Sequence, residues 1–170
     1  TGSTEQHGPI GLIGTDAICA ESVARGLGER DDVLVGPTLA VGVAQFNLGF
    51  AGTVSVRAST YMALVEDYVR SLARHGFNRF YFLNGHGGNI APLRATFQDL
   101  YANYSLAATP APLRFRLRSW WEYPEADRLR QSLYGEAEGM HGTSSEVAIT
   151  QHVVARSARA GGTSEVNAGG

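Results

Sequence analysis

The sequence contains no lysine; all 14 of its Lys+Arg positions are arginine. That absence excludes Schiff-base catalysis and the lysine of a phosphate-binding loop. Cysteine is nearly as scarce. Cys19 stands alone, so neither an internal disulfide nor a cysteine-based zinc knuckle can form, and a reducing, cytoplasmic setting is expected. No run of about 18 apolar residues exists, which argues against a membrane partner. A formal net charge of −2 gives no basic surface, so no nucleic-acid partner is expected. Charged residues make up 18% of the chain against 44% apolar, a balance that excludes a disordered chain.

At 170 residues the chain is long enough for one domain with a real core. We expect a folded domain over 1–157 and a loose tail over 158–170, where Gly, Ser and Ala dominate. No signal peptide is visible, and the chain opens on Thr1 rather than methionine. The expectation is a processed or trimmed start, with a leading strand missing.

Periodicity places a helix over 17–29, with Thr15 or Asp16 able to cap its free amides. Short strands are expected at 33–35 and 53–57, separated by a glycine-punctuated loop over 39–51. The clearest helix runs from 59 to 75, with Met62, Val65, Val69 and Leu72 on one face and Gly76 at its end. Strand 79–83, helix 90–104, strand 113–119 and helices 125–134 and 145–155 follow. Strands alternating with helices predict an α/β fold, a three-layer αβα sandwich with a largely parallel central sheet.

Potential metal ligands crowd two short stretches. Glu5 and His7 stand in Thr1-Gly-Ser-Thr-Glu-Gln-His-Gly8 with Asp16 just beyond, and His86 stands in Leu83-Asn-Gly-His-Gly-Gly-Asn89. In an extended chain Glu5 and His7 would share a face about 7 Å apart. Pro9, Gly11 and Gly14 let the chain turn Asp16 back toward them. His86 follows a strand and so belongs to the carboxyl-end crevice of the sheet, where open α/β folds bind ligands. Carboxylate and imidazole together suit a divalent transition ion. Taken singly, Glu5 reads as a surface carboxylate and Asp16 as a helix cap, and the glycine-rich turn also admits a phosphate cradle. His75 and His152 read as ordinary surface or packing residues.

These motifs resemble those of the creatininase (creatinine amidohydrolase) family. The resemblance rests on Gly2-Ser-Thr-Glu-Gln-His-Gly8, the Thr15-Asp16 step and Asn84-Gly-His-Gly-Gly-Asn89. Gly49-Phe-Ala-Gly-Thr-Val-Ser-Val56 is similar to the family's Phe-Pro-Gly-Thr segment, and His141-Gly-Thr-Ser-Ser-Glu146 to its His-Ala-Gly-x-x-Glu-Thr-Ser block. Departures are Ile10, where many members carry a second histidine, and Asn47, where they carry another.

The resemblance implies a dinuclear centre with two divalent ions per chain, Zn2+, Mn2+ or Fe2+. Glu5 and His86 would hold one ion, His7 the other, and Asp16 would bridge them. Creatinine-cleaving members add a glutamate where this chain has Gly88, and Glu146 is the expected replacement. His141 and Glu146 are the expected catalytic residues, with His141 moving a proton. Trp121, Gly87, Gly88 and Asn89 are the expected substrate-binding residues.

The implied function is metal-dependent hydrolysis of a non-peptide C–N bond, in a cyclic amide or a formamide. A metal-bridging water would be the nucleophile, and the product nitrogen would be protonated by His141. The partner would be a small molecule, and the assembly a homo-oligomer, a hexamer by resemblance. Two alternatives stand beside this. One is a relative acting on a modified peptide or a sugar-like ring; the other is a metal-binding or structural relative without turnover.

Overall fold

Two parallel strands form the centre of the computed structural model, which describes residues 1–108 and 112–161, with 157–161 as backbone alone. β1 (Arg79–Asn84) pairs in parallel with β2 (Arg114–Ser119), with Phe80 opposite Phe115 and Phe82 opposite Leu117. Alternation sends these four apolar side chains to one face. There they meet α2 (Ala58–Ala73) and α3 (Ile90–Leu106). Tyr61, Val65 and Val69 of α2 and Leu93, Phe97 and Leu100 of α3 are the buried centre of that layer. The opposite face carries Leu83, which packs with Cys19 of α1 (Thr15–Arg30) and Ile149 of α5 (Ser144–Gly161). Helices thus cover both faces of parallel strands, giving three αβα layers, with α4 (Pro124–Tyr134) running over the surface beside α5.

All five expected helices form, four of them within two residues of their expected ends. The buried stripe of α2 starts at Tyr61 rather than Met62 and continues through Val65 and Val69, with the Tyr61 hydroxyl hydrogen-bonded to that of Thr1. α5 runs on to Gly161, past the expected boundary at 157, and 162–170 lie outside the described residues.

Two expected strands do not form. At 33–35 the chain is exposed, with Leu34 78% accessible, and no described residue pairs with it. Three apolar residues between Asp31-Asp32 and Gly36-Pro37 have neither a partner ladder nor a face to bury, and β propensity is realised only through such packing. At 53–57 the backbone amides are divided between two neighbours. Val54 donates to Thr4 at 2.8 Å and Val56 to Gly42 at 3.1 Å, leaving one isolated bridge rather than a ladder.

The helix cap expected from Thr15 or Asp16 is also absent. Gly14, with φ 86°, is the N-cap of α1, and no side chain caps the helix. The Thr15 hydroxyl donates to Leu12 O at 2.6 Å, and the Asp16 carboxylate faces histidines.

At the carboxyl end of β1 the first residues of the chain close in. The Thr1 nitrogen donates to Leu83 O at 2.7 Å, and Gly85 donates to Thr1 O at 2.8 Å, so Thr1 continues the parallel sheet for one residue. Gly85 makes this possible, since a Cβ there would collide with the carbonyl oxygen of Asp16. The strand exit, the first turn of α1 and the segment bearing Glu5 and His7 therefore meet at one rim.

Candidate metal centre

Five of the residues singled out in the sequence meet at that rim, all buried: Glu5, His7, Asp16, His86 and Glu146. Their possible ligand atoms fall into overlapping groups, each with atoms within 4.8 Å of one another. Glu5, Asp16 and His86 form one, His7, Asp16 and Glu146 a second, and Glu5, His7 and His141 a third. Asp16 belongs to the first two.

Each imidazole is oriented by a backbone carbonyl. His7 Nδ1 lies 3.0 Å from Glu5 O and His86 Nε2 lies 3.0 Å from Val43 O. A carbonyl can only accept, so those nitrogens carry the proton and the others face the carboxylates. His7 Nε2 is 2.8 Å from Asp16 Oδ1, and His86 Nδ1 is 2.8 Å from Asp16 Oδ2 and 3.4 Å from Glu5 Oε1. A histidine that gives its second N–H to a carbonyl has the tautomer and orientation of a metal ligand.

Asn84 braces the turn. Its carboxamide donates to His86 O at 2.7 Å and to Ser119 Oγ at 3.2 Å, and accepts from His86 N at 3.2 Å. Ser3 donates to Glu5 Oε2 at 3.0 Å.

The donor set fits a cation. Glu5 Oε1 and Asp16 Oδ2 are buried oxygens with no hydrogen-bond partner among the described residues. Asp16 Oδ2 lies at ion-pair distance from His86 Nδ1, but the two are not aligned as a hydrogen bond. Buried unsatisfied carboxylate oxygens are costly unless a positive group completes them.

In the metal-free protein, protons serve that purpose. Burial works against charging His86, but Asp16 and Glu5 outweigh it and push its pKa up to about 10. His7 is raised in the same way, chiefly by Asp16 against the cost of burial. Burial would raise the Asp16 carboxyl, yet the two histidines hold it below the usual carboxylate range. Glu146 is raised by burial, with the Asp16 charge adding to it.

Glu146 has a second task. Its Oε2 accepts from Thr143 N at 2.8 Å while its own amide donates to Thr143 Oγ1 at 3.2 Å, the reciprocal capping box of a helix start. Its other oxygen has no hydrogen bond to a described residue. His141 is half exposed, its ring 4.3 Å from that of His7. Its Nε2 lies 3.0 Å from Gln6 O, which leaves Nδ1 free to accept a proton, 3.6 Å from Glu5 Oε1.

The expected substrate-binding residues divide. Gly87 is exposed beside the centre and open on its Cα. Gly88 is tightly enclosed: a Cβ there would collide with Val43 O and lie 2.6 Å from His86 Nε2. A glutamate has no room at 88 in this backbone. Asn89 is committed to structure, since its carboxamide accepts from Val43 N at 3.0 Å and donates to Gly2 O at 2.9 Å. Trp121 is half-buried against the cluster of Cys19, Leu83 and Trp120, with its ring edge-on to Trp120 at 5.8 Å.

His75 and His152 are exposed, as expected. Cys19 is buried, and burial raises its thiol well above the ordinary range, so it is no nucleophile.

Sequence reasoning missed Phe46, whose ring stacks on His86 at 5.9 Å although it is 70% exposed. It lies in a segment without period and carries no motif. Ile10, three residues after His7, and Met140, next to His141 in the chain, are exposed as well. Among the described residues no helix is long and apolar enough to cross a membrane.

The family model for creatininase, described as creatinine amidohydrolase, matches residues 1–163. A mycofactocin precursor peptide peptidase of Mycobacterium ulcerans is 37% identical over 110 residues, 59% of this chain and 44% of that protein. A creatinine amidohydrolase of Pseudomonas putida is 31% identical over 140 residues, 79% of this chain and 54% of that protein. The chain therefore spans about half the length of the curated relatives it matches. Two solved creatininase structures, a mutant of Zn-Zn type and an Mn form, each align with TM-score 0.72 at 28% identity. Each alignment covers 83% of this chain and 58% of the other.

Proposed function

The chain belongs to the creatininase family, and we propose that it is a metal-dependent hydrolase of that family, cleaving a non-peptide C–N bond in a small cyclic amide or formamide. The observation that carries this reading is the position of Asp16, whose two carboxylate oxygens each face a different buried histidine at 2.8 Å. Glu5 and His86 would hold one divalent cation, His7 and Glu146 the other, and Asp16 both. Zn2+, Mn2+ or Fe2+ held there would lower the pKa of water toward neutrality and polarise the carbonyl of the substrate.

The residues around the centre supply the rest. Asn84 and Ser3 hold His86 and Glu5 in place before substrate arrives. In hydrolysis water adds to the carbonyl carbon, the C–N bond breaks and the nitrogen leaves with a proton. His141 suits the proton transfer, with Nε2–H fixed on Gln6 O and Nδ1 turned toward Glu5. Several copies assembled together would cover Leu129 and Leu133, which α4 leaves exposed.

A specific observation favours a second reading, hydrolysis of a peptide. Phe46, exposed and stacked on His86, offers an apolar contact at the edge of the centre that suits an extended chain, and the mycobacterial relative is named as a peptide peptidase.

The test is elemental analysis of protein purified without chelator, paired with turnover of cyclic amides, formamides and short apolar peptides with added Mn2+ or Zn2+. Two ions per chain and turnover of an amide are expected. In His86→Ala, metal content should fall and activity vanish while the fold persists. Full metal occupancy in that variant would refute the ligand assignment, and turnover of peptides alone would select the second reading.

A further inference from the structure

Between the candidate centre and α4 lies a buried polar relay that the hydrophobic core does not include. Its middle is Glu138, 3% exposed. The carboxylate accepts from Ser145 N at 3.1 Å through Oε2 and from Arg130 Nε at 2.6 Å through Oε1, which also meets the Ser145 hydroxyl. Arg130 in turn lies over the Trp120 ring, 5.6 Å from its centroid. On the other side, Ser145 Oγ is 3.1 Å from Thr143 Oγ1, and Thr143 forms the capping box with Glu146.

The relay encloses the loop that carries His141. Glu138 stands just before that loop and Ser145 just after it, so one carboxylate joins its two ends. Beyond this the loop has few tethers, Ser144 Oγ to Ala137 O at 3.2 Å and His141 to Gln6 O; of residues 135–142, Glu138 alone is buried, and Met140 is fully exposed. Gly139 and Gly142 have φ 69° and 60°, and at those positions no side chain resists a change of backbone. Apolar burial does not fix the placement of His141; its own contacts are the bond to Gln6 O and the ring of His7, and Glu138 ties together the ends of the loop that presents it to them.

We propose that Glu138, held by Arg130, is a positioning residue that sets His141 and Glu146 together against the centre. The proposal rests on the two-cation reading above. It assigns Glu138 no contact with substrate or metal. A buried carboxylate is a suitable clasp because it satisfies a helix-start amide, a hydroxyl and a guanidinium at once, and none of these can leave without exposing an unpaired group. Loss of an oriented outer partner of a ligand weakens metal binding about 10- to 100-fold.

The experiment compares the full chain with Glu138→Ala, Glu138→Gln and Arg130→Gln. Calorimetric titration with Mn2+ and with Zn2+ reads the cation affinities, and amide hydrogen exchange over 139–147 reads the loop in the metal-free protein. In Glu138→Ala the cation that needs Glu146 should lose about tenfold or more in affinity while the other is unchanged. Exchange over 139–147 should accelerate about tenfold, with α2 and α3 unaffected. Glu138→Gln keeps an acceptor for Ser145 and should fall between, matched by Arg130→Gln. Glu138→Gln preserves side-chain volume and Arg130→Gln changes only a partly exposed side chain, so these two decide the matter should Glu138→Ala not fold.

Unchanged affinity and exchange in folded variants would overturn the proposal, as would equal weakening of both cations. A wild-type protein that binds no cation would instead defeat the two-cation reading, and the exchange result would still decide whether Glu138 orders the loop.

Discussion

His86 approaches Asp16 to 2.8 Å, Nδ1 to Oδ2, without the alignment of a hydrogen bond. Glu5 Oε1 lies 3.4 Å from the same nitrogen. Three ligand atoms placed round one point rather than bonded pairwise is the arrangement a cation completes, and in its absence a proton substitutes.

That substitution makes cation affinity depend on pH. His86 is raised to about 10, so it holds a second proton at neutral pH in the metal-free protein, and His7 is shifted in the same direction by Asp16. A binding cation must expel the proton on His86 Nδ1, and affinity should therefore climb as pH rises from about 6 to about 8. Calorimetry in buffers of differing ionisation enthalpy should record proton release. Affinity that falls over this range would contradict the assignment.

The same shift acts oppositely on the metal-free fold. An imidazole whose pKa is about 10 when folded and about 6.5 when unfolded contributes stability fully below about 6.5 and loses it as pH rises toward 10. Thermal unfolding in chelator should show Tm declining across this window. A Tm that holds steady up to pH 10 would show that His86 is neutral in the metal-free state.

Gly87 and Gly88 are neighbours with opposite sensitivity. Gly88→Ala places a Cβ against Val43 O and 2.6 Å from His86 Nε2. It should cost about 1–3 kcal/mol and weaken cation binding, because His86 must shift. Gly87→Ala meets nothing and should stay within about 0.5 kcal/mol. Denaturant titration separates the two, and equal effects would mean that the turn is not packed as described.

Ser3 is buried and holds Glu5 Oε2 at 3.0 Å. Ser3→Ala should weaken cation binding about tenfold or more while costing only about 1 kcal/mol of stability. An affinity equal to wild type would remove Ser3 from the support of the centre.

Leu93 is fully buried between α2 and the strands. Leu93→Ala should cost about 2–5 kcal/mol and leave the number of bound cations unchanged, which denaturation and metal analysis together would read. A loss of cations would tie the helical layer to the centre more closely than the packing suggests.

The helices and both strands were legible because each repeats its apolar spacing over several turns or buries a face. Segments 33–35 and 53–57 were not. Their composition is strand-like, but pairing depends on partners such as Thr4 and Gly42 that no local pattern announces. Glu5, His7, Asp16 and His86 stood out because glycine-rich turns rarely carry such side chains for stability. The helix cap expected of Asp16 failed because two histidines compete for its carboxylate. The support was harder to see. Thr143-Ser-Ser-Glu146 has the spacing of a capping box and could have been recognised, whereas Glu138, Arg130 and Phe46 act only through the folded arrangement.

The candidate ligands lie far apart in the sequence, at 5 to 16, at 86 and at 146, with His7 and Glu146 brought together only by the completed fold. During synthesis, the segment with Glu5, His7 and Asp16 leaves the ribosome long before the helix that carries Glu146. The group of Glu5, Asp16 and His86 would be complete well before α5 folds, whereas that of His7, Asp16 and Glu146 needs α5, so two cations held there would be captured one after the other.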